Sequence, residues 1–236
     1  MNKNIFPINN HNIRKILEET SKRDFALLGE STHGTKEFYE IRLLITKLLV
    51  KNHNFNTIFL ETEWSNGYIL NKYIHSKISI DIKILLPKIF NKFPKWMTCN
   101  KYIHNLLIFL KSWNRINKKK VYIYGIDCQD IELAKKNVCN KSDLNCPIVS
   151  EIIKNYDIMN NPELNYWNIR DKFWLNIINS VKKYRKSKFI LWSHNSHVGL
   201  SSANIRNDNN INIGYLLQQL YNIYIIGFSK IGRAHV

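Results

Sequence analysis

Five short apolar runs punctuate the chain, and amphipathic stretches separate them. The runs are Phe25–Leu28, Thr57–Leu60, Val121–Tyr124, Phe189–Trp192 and Ile223–Phe228. Runs of this length bounded by polar turns read as buried strands. Between the first two, Phe38, Ile41, Ile45, Leu48 and Leu49 fall on one face of a helix running from about Thr35 to Lys51, closed by Lys51-Asn52-His53-Asn54. Strand, helix and returning parallel strand make a βαβ unit of right-handed crossover. Upstream, Ile13, Ile16 and Leu17 mark a short helix over Asn12–Lys22.

Further along, Ser65–Ser76 reads as a helix with Ser65 as its N-cap. Asp81–Asn91 is a second short helix, stopped near Phe93-Pro94. Trp96 to about Asn117 reads as one longer helix with Tyr102, Leu106, Phe109, Leu110 and Trp113 on one side. Residues 128–162 are the least regular, with helical character at Ile148–Tyr156. Glu163–Lys186 reads as a long helix with a break near Asn168, and Ile213–Leu220 as a last one. These elements predict an α/β fold: a mostly parallel open sheet flanked by helices, with the active-site cleft at the carboxyl ends of the strands. Without a linker or internal repeat, residues 1–230 are expected to form one domain.

Composition narrows the class. Hydrophobic residues make up 44% of the 236 positions, enough for a sizeable core. No stretch reaches the roughly 18 apolar residues of a membrane span, and the polar N-terminus lacks an apolar signal core. A cytoplasmic protein without membrane contact is expected. Cys99, Cys128, Cys139 and Cys146 form no CxxC pair, so reduced thiols are expected. The net charge of +17 admits a polyanion partner, and a basic nucleic-acid-binding protein is one reading. The lysines are scattered through a chain rich in Lys, Asn and Ile, which favours a compositional origin and no specific nucleic acid. The last six residues, IGRAHV, are encoded by ATC-GGA-AGA-GCA-CAC-GTC, a string that resembles a short-read sequencing adapter. The genuine frame is therefore expected to be cut near Lys230, with 231–236 a non-native tail.

The strand ends collect chemistry. The first gives Glu30 and His33, the second Glu61, the third Asp127, the fourth His194 and His197, and Arg42 lies in the helix after the first. In an open parallel sheet these ends share one edge, where ligands bind. Singly, each has a plain explanation: Glu30 can cap a helix, His33 can satisfy a turn, Asp127 can close one, and Arg42 can lie at the surface. Together they suit hydrolysis by water activated on an imidazole, with a carboxylate to fix its tautomer and a cation to meet an oxyanion. The turn at Gly29–Gly34 is neither a P-loop nor GxGxxG, and there is no GxSxG elbow. HxxH at His194–His197 is a weak zinc signal. Cys128 reads as structural rather than nucleophilic.

Six blocks, GESTHGTKEFYEIR (Gly29–Arg42), IFLETEWSNG (Ile58–Gly67), YGID (Tyr124–Asp127), IRD (Ile169–Asp171), WSHNSH (Trp192–His197) and IYIIGFS ending at Ser229, resemble the erythromycin esterase family. The resemblance implies an ester or macrolide lactone hydrolase, acting through water without an acyl-serine, in a response to antibiotic. It implies His33 as general base, with Glu30, Arg42, Glu61, His194 and His197 as the other catalytic residues. Glu37, Asp127, Arg170 and Asp171 would bind substrate or support the site. Family members carry a longer helical segment between the GID and RD blocks than Cys128–Ile169, which separates the reaction type from the substrate. No cofactor is expected, although the His/Glu cluster leaves a divalent metal open. A non-catalytic or metal-binding relative using the same cleft is the alternative. The partner expected is a small ester or lactone; the oligomeric state is not legible.

Overall fold

The computed structural model describes residues 5, 7–91, 95–130, 132, 145–159, 166–200 and 210–229. The elements in chain order are α1 (Asn10–Ser21), β1 (Phe25–Leu28), α2 (Lys36–His53), β2 (Phe55–Glu63), α3 (Trp64–Ile74), α4 (Ile82–Ile89), α5 (Lys95–Thr98) and α6 (Lys101–Ile116). β3 (Tyr122–Asp127), α7 (Asn145–Met159), α8 (Tyr166–Tyr184), β4 (Lys188–Trp192), α9 (Asn195–Val198), α10 (Ile213–Leu220) and β5 (Ile223–Ile226) follow. The five strands form one sheet in the order β3-β2-β4-β1-β5. Every pairing is parallel, so the expected α/β architecture holds, and the sheet is wholly rather than mostly parallel.

The sheet is apolar on both faces, because strands buried on both sides must be. Ala26, Leu28, Ile58, Leu60, Ile190 and Trp192 face a core shared with α1, α2, α3, α4 and α6. Phe25, Leu27, Phe59, Phe189 and Leu191 face a second core with α7, α8 and α10. Burying each Leu, Ile or Phe among them contributes about 1.5–3 kcal/mol. Glu30, two residues past Leu28, reaches Arg42 of α2, and Glu61, inside β2 at the register shift after Leu60, lies near Arg170 of α8.

The register levels the carboxyl ends. Trp192 of β4 lies across from Leu28 on one side and Leu60 on the other, and Leu28 lies across from Ile226. β1 reaches β2 through α2 by passing over β4, which is inserted between them. Residues following β1, β4 and β2 therefore meet at one edge, although they come from distant parts of the chain.

Several boundaries differ from expectation. β2 and β3 run through Glu61 and Asp127 rather than stopping before them, because ladder bonds extend to the Glu63–Asp127 pair. Ser65 lies buried inside α3, whose N-cap position is Glu63, so Ser65 is not the cap. The helix expected over Trp96–Asn117 is two, α5 and α6. Asn100 breaks it by accepting the Tyr102 and Ile103 N–H groups as an N-cap. α8 is continuous through Asn168. The expected helix start at Glu163 and the tail 231–236 lie outside the described residues. α3 lies directly on β3: a Cβ on Gly67 would sit 1.8 Å from the Gly125 nitrogen. Only glycine allows that approach.

Candidate active site

Two groups of charged residues face each other at the carboxyl edge. The first is built by β1 and α2. Glu30, 2% exposed, takes a hydrogen bond from the His33 Nδ1–H at 2.9 Å on Oε1 and from Arg42 Nη2 at 2.7 Å on Oε2. The turn between them closes through Gly34 at φ +86°, a left-handed position that favours glycine. One turn into α2, Tyr39 lays its ring 4.6 Å from the Arg42 guanidinium, and Trp192 of β4 closes the other side at 4.8 Å. Arg42 is thus a buried cation held by one carboxylate and two aromatic faces.

The carboxylate fixes the tautomer of His33. An ionised carboxylate only accepts, so Nδ1 carries the proton and Nε2 the lone pair. The Glu30 hydrogen bond raises the His33 pKa above its ordinary value; partial burial opposes this, and the Glu61 charge adds to it. The ring keeps 30% of its side-chain surface exposed. It lies 5.0 Å from the His194 ring and 6.4 Å from that of Trp96 on α5.

The second group draws on β2, β3, α8 and the start of α9. Arg170 grips Asp127 with two bonds, Nε to Oδ1 at 3.1 Å and Nη2 to Oδ2 at 2.6 Å. Its Nη2 also lies 3.6 Å from Glu61 Oε1. Glu61 Oε2 accepts the Ser193 hydroxyl at 2.6 Å and the His194 N–H at 2.8 Å. Burial acts to raise the Glu61 carboxyl, but His197, Arg170, Ser193 and the His194 N–H together outweigh it and hold the pKa low. His197 Nδ1–H donates to Asp171 at 2.8 Å, and its Nε2 lies 3.6 Å from Glu61 Oε1. A cavity of about 20 Å³ joins the groups, lined by Glu30, Arg42, Glu61 and Ser193 with Tyr39, Met97 and Trp192. That is about the volume one water needs.

The expected residues do not all converge in the same way. Glu30, His33, Arg42, Glu61, Asp127, Arg170, Asp171 and His197 fall into the two groups. His194 joins them with both ring nitrogens engaged: Nδ1 accepts the Ser196 N–H at 3.2 Å as the N-cap of α9, and Nε2–H donates to the Ser31 carbonyl at 3.0 Å. Glu37 is exposed on the first turn of α2 and is brought to neither group. Cys128 is buried, and desolvation beside Asp127 and Glu63 pushes its thiol far up, which fits a structural cysteine. Among the described residues no group of three or more His, Cys, Asp or Glu is arranged to hold a metal ion.

Sequence reasoning missed Ser193, Tyr39 and Glu63. Glu63 accepts the Gln129 and Asp130 N–H groups at 3.2 Å each. Burial and the Asp127 charge raise its carboxyl to about 7. The Glu-Thr-Glu spacing at the end of β2 was the available signal for it.

This fold and edge define an α/β protein with a charged, imidazole-bearing cleft. The family model described as erythromycin esterase matches residues 50–143 and 140–233, and the chain belongs to that family. The match takes in Glu61, Asp127, Arg170, Asp171, His194 and His197; Glu30, His33 and Arg42 precede it. An erythromycin esterase type II of Escherichia coli is 27% identical over 115 residues, covering 49% of this chain and 25% of that protein. Among solved structures, a succinoglycan biosynthesis protein superposes with a TM-score of 0.68 at 16% identity, over 92% of this chain and 67% of the other. A histidine-to-asparagine mutant of the erythromycin esterase EreC in its open conformation gives 0.64 at 15% identity, over 94% and 73%. ChaN of Campylobacter jejuni, described with cofacial heme, gives 0.51 at 16% identity, over 93% and 87%. These likenesses show a shared fold. No helix among the described residues is long and apolar enough to cross a membrane.

Proposed function

We propose that the protein hydrolyses a carboxylic ester, with a macrolide lactone as the substrate class its family suggests, by water activated on His33. The observation that carries this reading is the Arg42–Glu30–His33 chain. A carboxylate acceptor at Nδ1 supports a proton there and a free lone pair at Nε2 on a partly exposed ring. His33 takes a proton from water at Nε2 as the hydroxide oxygen bonds to the ester carbonyl carbon. Glu30 stabilises the imidazolium that forms. The tetrahedral oxyanion is met by the positive charge of Arg42, which lines the cavity, with Arg170 beyond Glu61. Collapse breaks the bond to the alkoxide, which takes the proton from His33 and leaves as alcohol. Glu61, held ionised by Ser193, His194 N–H, Arg170 and His197, orients water or substrate polar groups. His194, committed at both nitrogens, shapes the wall instead of delivering a proton.

The test is a panel of lactones and simple esters, erythromycin among them, read by mass spectrometry for the gain of one water, with and without chelator. Turnover that survives chelator supports the reading. Absence of hydrolysis across the panel, or activity that needs an added metal, overturns it.

A further inference from the structure

Resting on the hydrolase reading, we propose that Asp171 is a positioning residue. It fixes His197 as the Nδ1–H tautomer and, through His197 and Arg170, sets the orientation and charge of Glu61 in the cleft. Asp171 does not touch the cleft; it is fully buried on α8.

His197 Nδ1 lies 2.8 Å from Asp171 Oδ1 and 3.1 Å from Oδ2. A carboxylate can only accept, so Nδ1 must carry a proton. The opposite nitrogen, Nε2, is 3.4 Å from Arg170 Nη1 and 3.6 Å from Glu61 Oε1. With the ring neutral, Nε2 offers its lone pair to the arginine. With the ring protonated, Nε2–H faces the Glu61 carboxylate as an ion-pair partner. Both states are useful to Glu61, and both require the Nδ1–H that Asp171 demands.

The surroundings hold this arrangement rigidly. Trp167 stacks on the imidazole at 4.2 Å and 5° between planes, and Trp174 lies at 4.4 Å on a tilted contact. Aromatic faces favour a cationic ring. Asp171 itself cannot turn, because Oδ2 also accepts the Ile213 N–H at 2.7 Å. Neighbouring residues on α8 divide the task, since successive side chains point about 100° apart. Arg170 goes to Asp127 and Glu61, and Asp171 goes to His197. Burial raises the Asp171 carboxyl, while the hydrogen bonds from His197 and the Ile213 N–H counter that effect.

Asp171→Asn tests the proposal. Asparagine has one acceptor oxygen for two donors. If that oxygen keeps the Ile213 N–H, the amide NH2 faces Nδ1 and forces the lone pair there. The neutral ring then becomes the Nε2–H tautomer and meets Arg170 Nη1–H donor against donor. Nitrogen-15 NMR, with His197 assigned by loss of its signals in His197→Gln, reads the tautomer directly at about pH 8, where an ordinary imidazole is neutral. The wild type is expected as Nδ1–H and the variant as Nε2–H. Ester hydrolysis by the variant is expected to fall on the order of a hundredfold in kcat with KM little changed. A wild-type Nε2–H tautomer overturns the proposal, and this reading decides it even if the variant does not fold. A folded variant with the wild-type tautomer and wild-type kcat overturns it as well. If the wild type hydrolyses no ester, the hydrolase reading fails by itself, and the tautomer still decides what Asp171 does.

Discussion

The two halves of the cleft are built in opposite ways. The half containing His33 is local: Glu30 binds a residue three positions on and another twelve positions on. The half containing Glu61 is assembled from afar. Its bonds join residues 132 and 133 positions apart at Ser193 and His194, 43 apart at Arg170–Asp127, and 26 apart at His197–Asp171. The hydrogen bonds of the local half need one strand and the first two turns of a helix, and Trp192 of β4 only covers Arg42. The distant half exists only once β4 is inserted between β1 and β2 and α8 lies across the sheet. The difference teaches where each half should fail: the local one by loss of a single partner, the distant one with loss of the sheet order itself.

The largest effect expected is on stability, from the buried arginines. Arg42→Ala leaves Glu30 buried without its cation, where the pair is 2% and 3% exposed. Breaking such a pair costs about 3–5 kcal/mol, read by urea unfolding. Arg170→Ala leaves Asp127 in a slightly wetter site, 14% and 9% exposed, and is expected to cost less. Equal costs would remove the contrast between a sealed local half and a wetter distant one.

On activity, His33→Ala should lower kcat/KM by about a hundredfold or more if the imidazole is the base. His194→Ala is expected to lose less, chiefly through destabilisation of the wall, since its nitrogens are already committed. A larger loss at His194 than at His33 would move the chemistry out of the local half.

A smaller and more diagnostic effect lies in pH. The Glu30 hydrogen bond raises the His33 pKa, so the acid limb of the rate profile should lie above the ordinary imidazole value, and activity should rise as His33 deprotonates. Stability runs the other way. A raised folded pKa contributes stability that is fully present below the unfolded value and is lost as pH rises through the folded one. Glu30→Gln should draw both limbs back together. A rate profile unmoved by Glu30→Gln would detach the carboxylate from His33.

The smallest change is expected at Glu37→Ala. Exposed on α2 and away from both groups, it should leave unfolding within about 0.5 kcal/mol and turnover unchanged. A clear loss of activity would give the local half a member that its geometry does not show.

The local half was legible because helical spacing is a sequence property. Glu30, His33 and Arg42 fall within one strand–turn–helix unit; the sequence alone admits a surface position for Arg42, which the fold buries against Glu30. Glu61, Asp127 and His197 were legible one at a time, as ionisable residues at the ends of apolar runs. Their partners were not. That Asp127 pairs with Arg170, or that His194 caps α9 and bonds the Ser31 carbonyl, depends on which helices cross which strands. By sequence Ser65 reads as a cap and Asn100 as interior to a longer helix for a related reason: capping propensity is local, but the strand and helix boundaries are decided by ladder bonds and packing.

By itself the sequence determined the alternation of apolar strands and amphipathic helices, hence a mostly parallel α/β sheet, and the gathering of Glu30, His33 and Arg42 in one strand–turn–helix unit. Side-chain periods and short-range turns suffice for those. Only the tertiary structure decided the strand order, the pairing of Glu61 with residues from the turn after β4, α8 and α9, and the burial of Asp171 behind His197. Those contacts join segments more than 20 residues apart, and their geometry is set by the register and packing of the whole sheet rather than by any one stretch.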